Sequence, residues 1–235
     1  MIHREMPSKT EKSTRLKKAV RRVSKVCDAL QACYGQPRFG NPQGPIDDLI
    51  YIILSNKTLS KAAQNAFLDL KKKFRKWERL ATADSKLVRE IIAPAGLSVI
   101  KTKQIQRSLR KIIADFGKCS LDSLRGLPAE AVERYLVSLD GVSVKVAKCV
   151  MMYTMAYDVL PVDTHVHRVA VRLGWTIRKR ADQCHDELEA IVPGPRRFAF
   201  HVNCIAHGRI VCTPRKPACA ECCINKHCEY YRSKK

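Results

Sequence analysis

The sequence predicts an all-α protein that ends in a metal-holding cysteine knot, and three observations predict it. Apolar residues recur at three- and four-residue spacing through most of the chain, the periodicity of one buried helix face. No apolar/polar alternation persists long enough to make a strand, and the β-branched residues are scattered within helical patterns. In the last quarter, Cys212, Cys219, Cys222 and Cys228 form a C-x6-C-x2-C-x5-C run. That stretch is loop-rich and could bury little apolar surface alone, so a metal must hold it.

The elements follow in order. Residues 1–20 read as a basic N-terminal arm without a core-forming pattern. The arm runs into a helix whose apolar face is Val20, Val23, Cys27 and Leu30. Gly35, Pro37, Gly40, Pro42 and Gly44 end that helix in a loop. Helices are then expected over residues 46–55, 60–74 (Ala63, Phe67 and Leu70 inward), 84–92 (closed by Pro94 and Gly96) and 100–116 (stopped by Gly117). Further helices are expected over 128–139, 145–157, 164–173, 180–191 and 197–210. No internal repeat is present.

Composition narrows the partners. The chain has 235 residues, enough for one large or two modest domains. It carries 44 Lys and Arg against 22 Asp and Glu, a formal charge of +22. Such an excess repels itself in the folded state and draws the protein to polyanions, nucleic acid first and an anionic membrane surface second. The basic, polar start lacks the apolar stretch of a secretory signal, although a matrix-targeting arm stays open. The longest mostly apolar run, around residues 149–162, contains Asp158 and is too short to cross a bilayer. The chain is therefore expected to be intracellular, cytoplasmic or nucleoid-bound if it comes from a prokaryote. For such a chain eleven cysteines argue against a disulfide scaffold. Cys27, Cys33, Cys149, Cys184 and Cys204 read as small buried hydrophobes.

Two local patterns carry chemistry. Leu139-Asp140-Gly141-Val142-Ser143-Val144 joins two helical segments through one glycine flanked by apolar anchors, as a tight helical hairpin requires. Its amides and the next helix N-terminus can hold a phosphate without a side-chain charge, though a plain helical hairpin fits equally well. Lys145 opens that next helix, where the positive helix end and Lys148 one turn on both disfavour an ammonium. A lysine so placed can become a free amine that attacks a carbonyl-like carbon. Asp163, in Val162-Asp163-Thr164-His165, precedes another helix as a capping residue whose carboxylate stays ionised and fixed in direction. On spacing alone the four-cysteine run suits zinc or an iron–sulfur cluster.

Together these segments resemble the endonuclease III family, the iron–sulfur branch of the helix–hairpin–helix DNA glycosylases. The resemblance runs from about residue 46 to 230, roughly four fifths of the chain. The family's Leu-Pro-Gly-Val-Gly-Arg-Lys-Thr-Ala hairpin reads Leu139-Asp140-Gly141-Val142-Ser143-Val144-Lys145-Val146-Ala147 here. Its Val-Asp-Thr-His appears intact, with Asp163 eighteen residues beyond the lysine, and His207-Gly208-Arg209 leads into the cysteines. The resemblance implies a two-lobed helix–hairpin–helix DNA glycosylase fold. Residues 47–157 would form a helical barrel, and residues 21–46 with 158–235 a domain bearing a C-terminal [4Fe–4S] loop. Lys145 would be the nucleophile and Asp163 the catalytic carboxylate, facing one another across the lobe junction. Cys212, Cys219, Cys222 and Cys228 would ligate the [4Fe–4S] cluster, with Cys223 a spare thiol.

The implied activity is base-excision repair by a monomer acting on double-stranded DNA that contains a damaged base or an abasic site. The base is flipped out, Lys145 attacks C1′ to form an imine, and elimination at C2′ breaks the strand. Oxidised pyrimidines are the expected substrates. Alternatives are a mismatched, modified or purine base, and a noncatalytic DNA-binding iron–sulfur protein. Gly141 and Ser143 in the hairpin, and Arg215 and Lys216 between cluster cysteines, are the expected phosphate contacts. The basic stretches 12–25 and 71–76 are further candidates. Three departures bear on this reading: Ser143 replaces the hairpin's second glycine, Asp140 replaces its proline, and Lys57 stands where relatives have glutamine. In the family that glutamine fills the gap left by the flipped nucleotide, and a lysine there offers donors only. Residues 161–175, ending Arg168-Val169-Ala170-Val171-Arg172-Leu173-Gly174-Trp175, also resemble the plant methylcytosine glycosylases.

Overall fold

The computed structural model describes residues 9–37, 41, 42 and 44–234, with side chains from residue 22 onward. It is helical throughout, with no strand among the described residues. Among the described residues twelve α-helices follow one another: α1 (Lys9–Tyr34), α2 (Pro45–Ser55), α3 (Ser60–Lys73), α4 (Trp77–Thr82), α5 (Ser85–Ile92), α6 (Ser98–Phe116), α7 (Ala129–Val137), α8 (Val144–Thr154), α9 (Thr164–Leu173), α10 (His185–Glu189), α11 (Gly194–Ile210) and α12 (Glu229–Arg232). No described helix is long and apolar enough to cross a membrane.

The chain forms two compact units. One is residues 39–157, the other residues 1–38 with 158–235. In the central unit α2 is the buried strut, packed against α3, α6 and α8. Ile50, Ile53 and Leu54 on α2 are buried, as are Phe67 and Leu70 on α3, Ile105 and Leu109 on α6, and Val146 and Val150 on α8. Residues 39–46, grouped with the C-terminal part on sequence grounds, belong here; Asn41 Nδ2 donates to Asp48 Oδ1 at 2.7 Å. In the second unit Val23, Val26 and Leu30 of α1 enter one core with Val166, Val169 and Leu173 of α9 and Phe200 and Cys204 of α11. Trp175 stacks on Phe200 at 5.6 Å. Cys212, Ile224 and Cys228 close the same core.

Four expectations need correcting. The helix starting α1 reaches back to Lys9, so most of the stretch taken as an arm is helical backbone, while residues 1–8 lie outside the described residues. The side chains of residues 12–21, named as DNA contacts, lie outside them too. The helix expected over 180–191 divides into a 3-10 turn, Ala181–Gln183, and the short α10. It divides because Cys184 turns inward, its thiol donating to the Arg180 carbonyl, while Glu189 accepts from the Leu160 amide at 2.7 Å. Helix α4 was not anticipated at all; six residues are too few for a periodic signal, and the Trp77 indole fixes it by donating to Asp47 Oδ1 at 2.6 Å. Finally, Cys33 is exposed rather than buried.

Candidate active site

The hairpin is built from α7, the six-residue connection 138–143 and α8. Gly141 has φ +81°, a conformation that strains any residue with a Cβ, and Val142 is buried beneath the turn. Ser143, the departure from the glycine pattern, is the N-cap of α8, its Oγ accepting from the Val146 amide at 3.4 Å. A serine therefore does here what its chemistry suits: it satisfies an orphan helix donor. Asp140 is also accommodated. Arg107 Nη1 lies 3.4 Å from its Oδ2, and Ser108 Oγ donates to its carbonyl at 2.9 Å. The odd charge in the turn is thus countered from α6.

Lys145 is the second residue of α8 and is half-buried. The like charge expected from Lys148 is not presented to it in bare form. Lys148 is buried, 3% exposed, and its Nζ lies 3.0 Å from Glu133 Oε2 on α7. The group whose charge does couple to Lys145 is one the sequence reading passed over. Asp48, on the first turns of α2, is 0% exposed, and its Oδ2 has no hydrogen-bond partner. Burial pushes its carboxyl up to about 7, against the smaller opposing effects of the Asn41 bond and the charge of Lys145.

A second device on the central unit is a pair of loop tips. Lys57 and Leu97 are both in left-handed conformations, at φ +54° and +53°, and both are exposed. Such a conformation costs a non-glycine residue about 1 kcal/mol and persists only when its surroundings impose it. Lys101 imposes it. This buried lysine donates to Leu54 O at 2.6 Å, to Thr58 Oγ1 at 2.5 Å and to Ala95 O at 2.9 Å, so one ammonium ties both loops together. Thr58 Oγ1 adds a bond to Ala95 O at 2.6 Å. Leu59, Val99 and Ile100 are exposed beside the tips.

In the other unit Asp163 is the N-cap of α9, its Oδ1 accepting from the His165 amide at 2.9 Å and the Val166 amide at 2.8 Å. Both bonds use the same oxygen. His165 is held below its ordinary pKa by burial, then by Arg168 and Arg209, with Asp163 opposing. Gly208 matters at this point: a Cβ there would meet His165 Nδ1 at 2.6 Å and Arg168 Nη2 at 2.9 Å, so α9 and α11 can approach only at a glycine.

Two turns along α9, a pair of arginines reaches the cysteine loop. Arg168 donates from Nε to Cys212 O at 2.8 Å and from Nη2 to Gly208 O at 2.7 Å. Arg172 donates from Nη1 to Cys212 Sγ at 3.0 Å and to Thr213 O at 2.9 Å, and from Nη2 to Pro214 O at 3.0 Å. Its guanidinium also lies 4.7 Å over the Tyr230 ring. The Arg-x3-Arg spacing was visible in the sequence and was read only as a resemblance. Its geometry shows a clamp on the loop that carries the exposed Arg215 and Lys216.

Cys212, Cys219, Cys222 and Cys228 share the walls of one cavity with Arg172, His207 and Ile224, and Cys223 is not among its lining residues. The Cys223 thiol instead shares a hydrogen bond with the Cys33 thiol of α1, both cysteines being free. Burial raises the Cys222 thiol to about 11 and the Cys228 thiol above its ordinary value, and neighbouring thiols add to both. Opposing this, the Ile224 amide points at Cys222, and the Tyr230 and Tyr231 amides at Cys228. His207 is pushed down to about 4, chiefly by burial, so it is neutral. Tyr34, whose phenol is raised chiefly by burial, shares a hydrogen bond with His207 Nδ1 at 2.8 Å. His207 Nε2 faces Cys222 Sγ at 3.5 Å. Among the described residues no three His, Cys, Asp or Glu side chains gather around a single metal ion. Four cysteines lining one cavity, met by N–H and guanidinium donors, form a donor set suited to thiolates held by a cationic centre.

Residues 50–193 match the model of the HhH-GPD superfamily base excision DNA repair proteins. An Arabidopsis thaliana protein named as a DNA glycosylase is 34% identical over 73% of this chain and 59% of its own length. Endonuclease III of Thermotoga maritima is 29% identical over 83% of this chain and 88% of its own. The DNA glycosylase/AP lyase ROS1 of A. thaliana is 30% identical over 67% of this chain but only 13% of its own length. Some relatives are thus far longer than the region they share. A solved endonuclease III–DNA complex superposes with a TM-score of 0.77 at 22% identity, covering 92% of this chain and 97% of that one.

Proposed function

We propose, from the premise that this chain belongs to the endonuclease III family of HhH-GPD base excision DNA repair proteins, that it is a DNA glycosylase that also cleaves abasic sites. The observation that carries the reading is Lys145. It sits half-buried on the first turn of the helix that follows a phosphate-competent hairpin, the place where a nucleophilic amine can meet a sugar whose phosphate the turn amides hold. The damaged nucleotide is extruded from the duplex. Lys145 attacks C1′, the base leaves with a proton, and an imine joins Nζ to the sugar. The imine acidifies the C2′ hydrogen, and its loss expels the 3′ phosphate. A water nucleophile forms no imine and leads to no strand break. Asp163, fixed by its two capping bonds, counters positive charge that develops on the sugar.

Double-stranded DNA is the partner, drawn by the charge of +22 and gripped by Gly141, Ser143, Arg215 and Lys216. Removing a nucleotide from the stack leaves a gap, and the rigid Lys57 and Leu97 tips are fillers of the right kind, one polar and one apolar. The four-thiol cavity fits a [4Fe–4S] cluster ligated by Cys212, Cys219, Cys222 and Cys228. When bound, it supplies a covalent staple for a loop-rich segment, and the clamp of Arg168 and Arg172 sets the direction of the loop between Cys212 and Cys219.

Oxidised pyrimidines are the proposed substrates. A second reading, a mismatched or modified base, is favoured specifically by Lys57, which supplies donors but no acceptor to the orphaned partner base. The test is borohydride trapping on duplex DNA carrying an abasic site, followed by a panel of lesions against all four opposite bases. A covalent adduct that disappears in Lys145→Ala supports the lyase. Absence of any adduct, with nonselective binding, would instead favour a noncatalytic DNA-binding protein.

A further inference from the structure

One buried cation of the central unit takes no part in the reaction as described. Lys101 of α6 is 2% exposed. An ammonium has three protons to donate, and this one has three acceptors: Leu54 O at 2.6 Å, Thr58 Oγ1 at 2.5 Å and Ala95 O at 2.9 Å. The acceptors belong to two segments far apart in the chain. Leu54 lies in the last turn of α2, and Thr58 directly follows Lys57. Ala95 ends the 3-10 turn before α6, two residues ahead of Leu97. The Lys101 amide also donates to the Leu97 carbonyl at 3.0 Å, and Thr58 Oγ1 to Ala95 O at 2.6 Å.

A methionine would fill much the same space without a buried charge, so packing alone does not account for the lysine. What the ammonium holds is not core. Lys57 and Leu97 are exposed, and both are left-handed without being glycine, the kind of strain that gathers at ligand clamps. Exposed Leu59, Val99 and Ile100 flank them, so the tips present apolar surface to whatever they meet.

We propose that Lys101 is the positioning residue for nucleotide extrusion, holding the Lys57 and Leu97 loops as one rigid, two-pronged filler. This rests on the reading that the two tips enter the gap left by the flipped nucleotide. A mobile loop that fills such a gap loses conformational entropy when it binds, whereas a loop already fixed in the folded protein does not. With one ammonium bonded into both loops, neither tip can shift without straining bonds to the other. Lys57 and Leu97 therefore act as a unit, one offering donors to the orphaned base and the other an apolar face to the stack. Lys101 is buried and acts only through them.

The experiment places 2-aminopurine opposite a tetrahydrofuran abasic analogue in a duplex, saturates the duplex with holoprotein, and reads the fluorescence amplitude. Wild type should raise the fluorescence, because a filled gap unstacks the partner base. Lys101→Met should bind yet lose most of that rise, as should Lys57→Ala combined with Leu97→Ala. At a true abasic site in duplex DNA, Lys101→Met should slow borohydride trapping on the order of 10-fold, because a misplaced filler no longer holds the sugar extruded. Amplitude at saturation does not depend on affinity or on the fraction of active protein. Slower trapping by Lys101→Met with the full wild-type amplitude would therefore mean a structural role and overturn the proposal. Should Lys101→Met not fold, Thr58→Val removes one ammonium bond and the direct link to Ala95 O. It should lose part of the amplitude, and an unmoved amplitude overturns the proposal alone. A wild type that gives no rise takes the tips out of the gap and the proposal with them. Failure of the lyase reading shows separately, as the lack of any wild-type adduct that Lys145→Ala abolishes.

Discussion

Replacing Asp48 by asparagine should make this protein more stable at neutral pH, and the gain should depend on pH in a calculable way. The folded-state pKa of about 7 lies above the ordinary carboxyl value of 3.8. Between those values the folded protein holds a proton that the unfolded chain has lost, so stability falls as pH rises through the window and levels off above it. At 1.36 kcal/mol per unit the full burden is about 4 kcal/mol, of which about 2 kcal/mol accrues between pH 5.5 and 8. Asparagine keeps the Oδ1 acceptor for Asn41 and does not ionise. Urea unfolding of wild type and Asp48→Asn at pH 5.5 and 8 should therefore show the variant's advantage growing by about 2 kcal/mol, with unchanged urea slopes. An advantage that is flat with pH, or a variant that loses ground at pH 8, would refute the idea that a buried carboxylate strains the central unit.

Three further outcomes follow from the geometry. Lys57→Gln should change the ranking of opposite bases in a lesion panel while leaving abasic-site trapping within a few-fold, because it alters the gap filler and not the amine; an unchanged ranking would remove Lys57 from recognition. Arg215→Ala with Lys216→Ala should weaken DNA binding at every sequence and reduce the slope of log K against log salt by about 2, measured by fluorescence anisotropy. Arg172→Met should leave Lys145 untouched but loosen the cysteine loop, since it deletes bonds to Cys212 Sγ, Thr213 O and Pro214 O. Faster proteolysis within residues 213–218 and faster loss of bound iron to a chelator are the expected readouts, and equal rates would show that the clamp holds nothing.

Much of the fold was legible because its long helices are periodic and end at residues with one obvious use. Gly117 caps α6 at φ +72° and Gly174 caps α9 at φ +75°, as glycines after an apolar repeat should. Asp163 caps α9, and the four cysteines line one cavity. What stayed hidden depends on which groups meet in space. Lys148 looked like a second bare charge beside Lys145, and only its bond to Glu133 shows otherwise. Asp48 and Lys101 sit among apolar or surface-like patterns, where nothing local distinguishes a buried carboxyl or a buried ammonium from a solvated one. Short α4 and α10 carry no period to read, being fixed by Trp77 and by Cys184.

Helix α9 shows why the cysteine loop belongs to the chemistry although it holds no reacting group. One rigid helix of ten residues, about 15 Å long, carries Asp163 at its N-terminus and then Arg168 and Arg172 on successive turns. Those arginines bond the backbone or sulfur of Cys212 and the loop after it, and Gly208 lets α11 seat against the same face. The direction in which Asp163 points is thereby set by the packing of α9, and that packing is completed by the cysteine segment. Lys145 belongs to the other unit and takes its direction from α2 and α8. Under the proposed reaction, disturbing the cysteines should thus fall on Asp163 and on loop contacts to DNA, and should leave the direction of Lys145 unchanged. Lys145 and Asp163 rest on separate supports, so damage to the cysteine segment should leave abasic-site trapping by Lys145 within a few-fold of wild type while weakening loop contacts to DNA.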